Sequence, residues 1–176
     1  MFNFQIRALP TLPLAAALAA VLTAMIALPA SAHITLETQQ APVGSYYKAV
    51  FHVPHGCKGS DTLKIRVQIP EGVLSVKPQP KTGWKLETVD AAYPKAYEVH
   101  GSKVTSGVRE VSWTGRLPNA YYEEFTFLSY LAPELTAGTV VRFPVVQECE
   151  KGVSRWIDTK EPSENPAPKL SIVPKP

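Results

Sequence analysis

The sequence predicts an all-β fold, an antiparallel β-sandwich of immunoglobulin or cupredoxin type, and three observations carry that prediction. Beyond the first 32 residues the apolar side chains recur with a period of two, as half-buried strands require. Short apolar runs are punctuated at regular intervals by proline and glycine turns. No stretch shows helical spacing, and all but three of the 17 prolines lie beyond position 32, which argues against long helices there. Many short strands separated in this way are the pattern of a sandwich.

The strands follow in order. "YYKAVFHVP" (46–54) is the first, and "TLKIRVQIP" (62–70) alternates Leu63, Ile65, Val67 and Ile69 with polar residues until Pro70 closes it. Three short strands are expected at "WKLETV", "AYEVHG" and "REVSWTG". "EFTFLSYLAP" and "TVVRFPVVQEC" are longer and more apolar, and "VSRWID" and "KLSIVP" complete the set, the last as an edge strand. "HGCKGSD", "PEGV", "PKTG", "RLPN", "LTAG" and "EKG" are the turns between them. No internal repeat and no second domain is evident.

The first 32 residues have a different character. Arg7 is the only charge before an apolar run from Leu14 to Leu28, and Ala30-Ser31-Ala32 supplies small residues where a signal peptidase cuts. Positions 1–32 are therefore expected to be a cleaved signal peptide, leaving a single domain of residues 33–176 outside the cytoplasm, in the periplasm. No later segment is apolar enough to span a bilayer, so no stable membrane insertion is expected after cleavage. The net charge of +3 falls by one with Arg7, too small a balance to suggest a nucleic-acid partner. The two cysteines, Cys57 and Cys149, lie far apart in a chain bound for an oxidising compartment, and a structural disulfide is expected.

Cleavage after Ala32 would place His33 first, with a free α-amine and an imidazole on one residue. Both groups can lose a proton at neutral pH at modest cost, the amine near ~8 and the ring near ~6.5. Together they can chelate one ion, a histidine brace, and two nitrogen donors suit Cu(II). The soft ligands that select Cu(I) are missing, since both methionines, Met1 and Met25, fall in the leader and the cysteines are expected to be paired. His52 and His55 flank Pro54 in "FHVPHGC" and His100 closes "YEVHG"; their spacing matches no common metal motif. In "YYEEFTF", Glu123 and Glu124 begin a strong strand, and alternation sends Glu124 and Thr126 to one face and Glu123 to the face of Phe125 and Phe127. Either glutamate could offer an oxygen ligand.

Nearly the whole of this region resembles the YcnI-like copper-binding domain family. The resemblance rests on "AHITLE", "VPHGCKGSDTLKIRVQIPEGVLSVKPQPKTGW", "VSWTGRLPNAYYEEFTF" and "FPVVQECEKGVSRWID". It implies a sandwich that binds one Cu(II) per chain through the amine and imidazole of an N-terminal histidine, with a glutamate ligand and a nearby tryptophan. Carried over, His33 takes the brace, Trp156 the tryptophan, and Glu124 the carboxylate, with Glu123 as the second choice; His52, His55 and His100 are not required. The expected function is copper chaperoning, trafficking or homeostasis in the periplasm without turnover, with other periplasmic or membrane copper-transport proteins as partners. An oxygen-activating brace enzyme, similar to polysaccharide monooxygenases, and a metal-free structural sandwich are the alternatives.

Overall fold

The computed structural model describes residues 33–176; the signal peptide expected at 1–32 lies outside the described residues. Twelve strands run in the order β1 (Thr35–Leu36), β2 (Gln40–Pro42), β3 (Tyr46–Val53), β4 (Thr62–Gln68), β5 (Val73–Pro78) and β6 (Lys85–Val99). They continue as β7 (Ser102–Leu117), β8 (Glu123–Leu131), β9 (Val140–Arg142), β10 (Val145–Cys149), β11 (Gly152–Trp156) and β12 (Lys169–Val173). Among the described residues no helix forms, and none could cross a membrane.

Two sheets face each other, with strand orders β1-β3-β8-β5 and β11-β10-β4-β7-β6, and a third small sheet has the order β2-β12-β9. All pairings are antiparallel except β2 with β12. The inward-facing residues of both main sheets meet in one core, where Phe51, Phe125, Phe127, Phe143 and Trp113 lose all contact with solvent. Their rings meet tilted or edge to face, as the quadrupoles of aromatic rings favour. Burying side chains of this size stabilises the fold by roughly 2–3 kcal/mol each before entropy is counted.

Several boundaries differ from the sequence expectation for identifiable reasons. "WKLETV" and "AYEVHG" belong to one long strand, β6, whose ladder with β7 slips at Val89/Asp90 and again between Ala92 and Tyr97, around Pro94. Proline has no N–H to donate, so the ladder breaks there and resumes. "REVSWTG" is the second half of β7. The two long strands are joined by the two-residue turn His100-Gly101, both at positive φ, which is the twist a tight hairpin needs. "TVVRFPVVQEC" divides at Phe143-Pro144, where the chain leaves the small sheet for the five-stranded one. "VLSVKP" forms β5, a strand the turn signal before it concealed. β12 is the centre of its sheet rather than an edge, because β2 returns to pair with it.

One irregularity shapes the site. β4 pairs Thr62 with Leu117 and then Lys64 with Thr114, while β10 pairs Glu148 with Lys64 and Cys149 with Thr62. Leu63 is thus the extra residue against β10, whereas against β7 the extra residue lies on β7, where Gly115 and Arg116 stand opposite Leu63 alone. A bulge reverses the alternation on one side of it, so Leu63 is exposed and Thr62 is fully buried, the opposite of what strict alternation predicts.

Candidate metal centre

Ile34 and Leu36 are buried, and β1 is held to β3 by Thr35 opposite His52 and Leu36 opposite Phe51. This pins the chain immediately after His33. The His33 ring lies against Trp156, with centroids 5.5 Å apart and planes at 66°, an edge-to-face contact. Trp156, the last residue of β11, pairs with Val145 and is part of the core, so its indole offers a rigid face at the margin of the sandwich.

That indole is fixed from behind. Trp156 Nε1 donates to Gln147 Oε1 at 3.1 Å. Gln147 is buried, and its amide nitrogen donates to the His55 carbonyl at 2.6 Å and to Thr62 Oγ1 at 2.8 Å. Thr62, turned inward by the bulge, lies 3.8 Å from Cys149 Sγ. Cys149 forms the expected disulfide with Cys57, with Cα atoms 5.7 Å apart across 92 positions of sequence. A buried amide of this kind is stable only when its donors and its acceptor are used, and here they are. The neighbouring loop is clamped as well. Asn119 Oδ1 accepts from Gly56 N, and Asp61 Oδ1 accepts from Asn119 N. That backbone bond, followed by Arg116, holds the Asp61 carboxyl below the usual carboxylate range.

The register of β3 with β8 separates the two glutamates. Val53 faces Glu123 and His52 faces Glu124. Glu123 is engaged twice, by Lys81 Nζ at 2.8 Å and by the Glu124 backbone N–H at 2.8 Å. Glu124 points to the outer face, where its Oε1 lies 3.5 Å from His52 Nε2. Thr35, His52 and Glu124 therefore form a cross-strand row spanning β1, β3 and β8. The structure brings His33 to Trp156 and Glu124 to His52.

The remaining histidines have other roles. His100 sits in the hairpin turn, stacked on Tyr46, whose hydroxyl is 3.0 Å from its Nε2. His55 donates from Nδ1 to the Gly56 carbonyl at 2.5 Å. Glu161 enters from an unexpected direction. It lines, with His33, Thr35, Gln39 and Lys169, a cavity of about 550 Å³. Lys169 and then Arg142 hold its carboxyl anionic, below the usual range. Gln147 carried a sequence signal, since it is a polar residue at an inward position two after Val145. Glu161 carried none, because it lies in an irregular proline-rich segment.

Among the described residues no three His, Cys, Asp or Glu side chains converge as a metal site. A brace does not require three, because one residue supplies two donors. An imidazole beside an aromatic wall, as His33 stands beside Trp156, is donor chemistry that suits Cu(II).

The fold and its packing define the class of the protein: an immunoglobulin-like β-sandwich closed by one disulfide. Its family follows from comparison, since residues 33–172 match the model of "Domain of unknown function (DUF1775)", and the chain belongs to that family, the one the sequence motifs resemble. No curated protein matches the chain. Among solved structures it is similar to an uncharacterized protein from Nocardia farcinica with an immunoglobulin-like fold, at 23% identity and a TM-score of 0.56, covering 80% of this chain and 98% of that one. A non-cellulosomal cohesin from Archaeoglobus fulgidus matches at 12% identity over 80% of this chain and 85% of its own, with a TM-score of only 0.32.

Proposed function

We propose that this domain is a periplasmic Cu(II)-binding protein of copper trafficking or homeostasis, holding one ion through the α-amine and imidazole of His33. The observation that carries the reading is the docking of the His33 ring on Trp156, a residue fixed by Gln147. A terminal residue is ordinarily frayed; here both the strand after it and the ring itself are anchored. Anchoring lowers the entropy lost when a ligand is bound, which is the general advantage of a preorganised site.

Glu124 is the carboxylate of choice within this reading. Glu123 would have to give up Lys81, whereas Glu124 stands on the row that leads from β1 through His52. The bound ion would gain an anionic oxygen, which favours the oxidised state over Cu(I). Trp156 shields one side from water. These features support retention and hand-over of Cu(II) more than redox turnover.

The test is a calorimetric titration of Cu(II) into protein that begins at His33 and into protein with one residue added before it. The reading expects tight one-to-one binding in the first and a loss of roughly a hundredfold or more in the second, since the amine becomes an amide. Equal affinities would defeat it. Oxygen consumption by the copper form with a reductant and a glycan would favour the enzymatic alternative.

A further inference from the structure

His52 and Glu124 stand within ion-pair range but outside hydrogen-bond range. The His52 Nε2 to Glu124 Oε1 separation is 3.5 Å, beyond the roughly 2.7–3.2 Å of an N–H···O bond. His52 Nε2 is shielded from solvent and makes no hydrogen bond, and a buried nitrogen left in that state is costly. The same separation suits a shared ion. With metal–nitrogen and metal–oxygen bonds of about 2.05 and 2.1 Å, a tetrahedral centre sets its donors about 3.4 Å apart.

The surroundings agree with this. Lys81 pairs with Glu123, and among the described ion pairs Glu124 has His52 and no lysine or arginine, so no permanently charged side chain is paired with it. The two side chains are 37% and 45% exposed, so an ion can arrive from solution although the nitrogen itself is covered. Their place is fixed by backbone pairing, because His52 and Glu124 are directly opposed in the β3–β8 ladder. Neither residue lies on a loop.

We infer that His52 and Glu124 form a second metal seat, for a borderline divalent cation such as Zn(II), which does not need a freed N-terminal amine. One imidazole nitrogen and one carboxylate oxygen come from the protein, and water completes the shell. With two protein donors the seat is weaker and less selective than a chelate. Its donors belong to β3 and β8 and do not include the His33 amine; because Glu124 is also the carboxylate of the proposed copper site, the two ions would compete for it.

The experiment uses the domain with one residue added before His33, so that the terminal chelate is absent and the copper reading is not at issue. Zn(II) is titrated calorimetrically, and the histidine ring nitrogens are followed by ¹⁵N NMR. The expected result is one zinc per chain, a shift of His52 Nε2 on binding, and affinity lowered by roughly tenfold or more in His52→Ala and in Glu124→Gln. The double variant should bind no more tightly than either single one. Both side chains are half exposed, so the variants should keep the wild-type circular dichroism spectrum and melting temperature. Absence of zinc binding, binding that survives His52→Ala, or binding lost instead in His55→Ala would overturn the inference. So would a proton that stays on His52 Nε2 in saturating zinc, the sign of a salt bridge only.

Discussion

Replacing Gln147 by leucine tests how the interior holds Trp156 in place. The substitution nearly conserves volume, so little cavity cost is added. It removes the acceptor of the Trp156 indole N–H and the donor to the His55 carbonyl and the Thr62 hydroxyl. Thr62 can turn its hydroxyl toward Cys149 Sγ, which leaves two groups unpaired. At about 1–2 kcal/mol for each, the loss is about 2–4 kcal/mol. For a domain of this size that lowers the melting temperature by roughly 5–15 °C. Thermal unfolding followed by near-ultraviolet circular dichroism reads both the loss and any reorientation of the indole. A Gln147→Leu protein that melts within about 2 °C of wild type, with an unchanged tryptophan spectrum, would refute the reasoning. The same variant should weaken Cu(II) binding, because the wall beside His33 is no longer fixed.

Two further outcomes concern stability. Cys57→Ser combined with Cys149→Ser opens a loop of 92 positions, and the chain-entropy model gives a loss of about 4–5 kcal/mol, to be read as a lower urea midpoint; an unchanged midpoint would exclude the disulfide as a main stabiliser. Asp61 is held below its usual pKa, first by the Asn119 N–H and then by Arg116. Its stabilising effect is therefore present above the unfolded carboxylate pKa, near ~3.9, and is lost as pH falls through the lower folded value. Asp61→Asn should be less stable than wild type at neutral pH and should lose less on acidification, measured by urea unfolding across that range. Parallel pH profiles would contradict the assignment.

Much of the architecture could be read from the chain because alternation and turn chemistry are local. "EFTFLSYL" placed Phe125 and Phe127 inward and Glu124 outward, as the structure has them. Leu63 went the other way because a bulge depends on the pairing of three strands, which no window of sequence contains. β12 looked like an edge because its partner β2 is only three residues long and nearly 130 positions earlier. At the site, the neighbourhood of His33 and Trp156 came from family motifs rather than from periodicity. The pairing of His52 with Glu124 needed the β3–β8 register, and the link from Trp156 through Gln147 to Thr62 needed the bulge. Local pattern fixes which face a residue takes; register decides whom it meets there.

The proposed copper site needs one residue to supply two different nitrogens. Electron paramagnetic resonance of the protein beginning at His33, with one equivalent of Cu(II) and ¹⁵N confined to the histidine rings, separates them directly. The account predicts one ¹⁵N coupling from the imidazole and one ¹⁴N coupling from the amine, the latter disappearing when a residue precedes His33. A spectrum with ¹⁵N couplings alone, or one indifferent to the added residue, would contradict it.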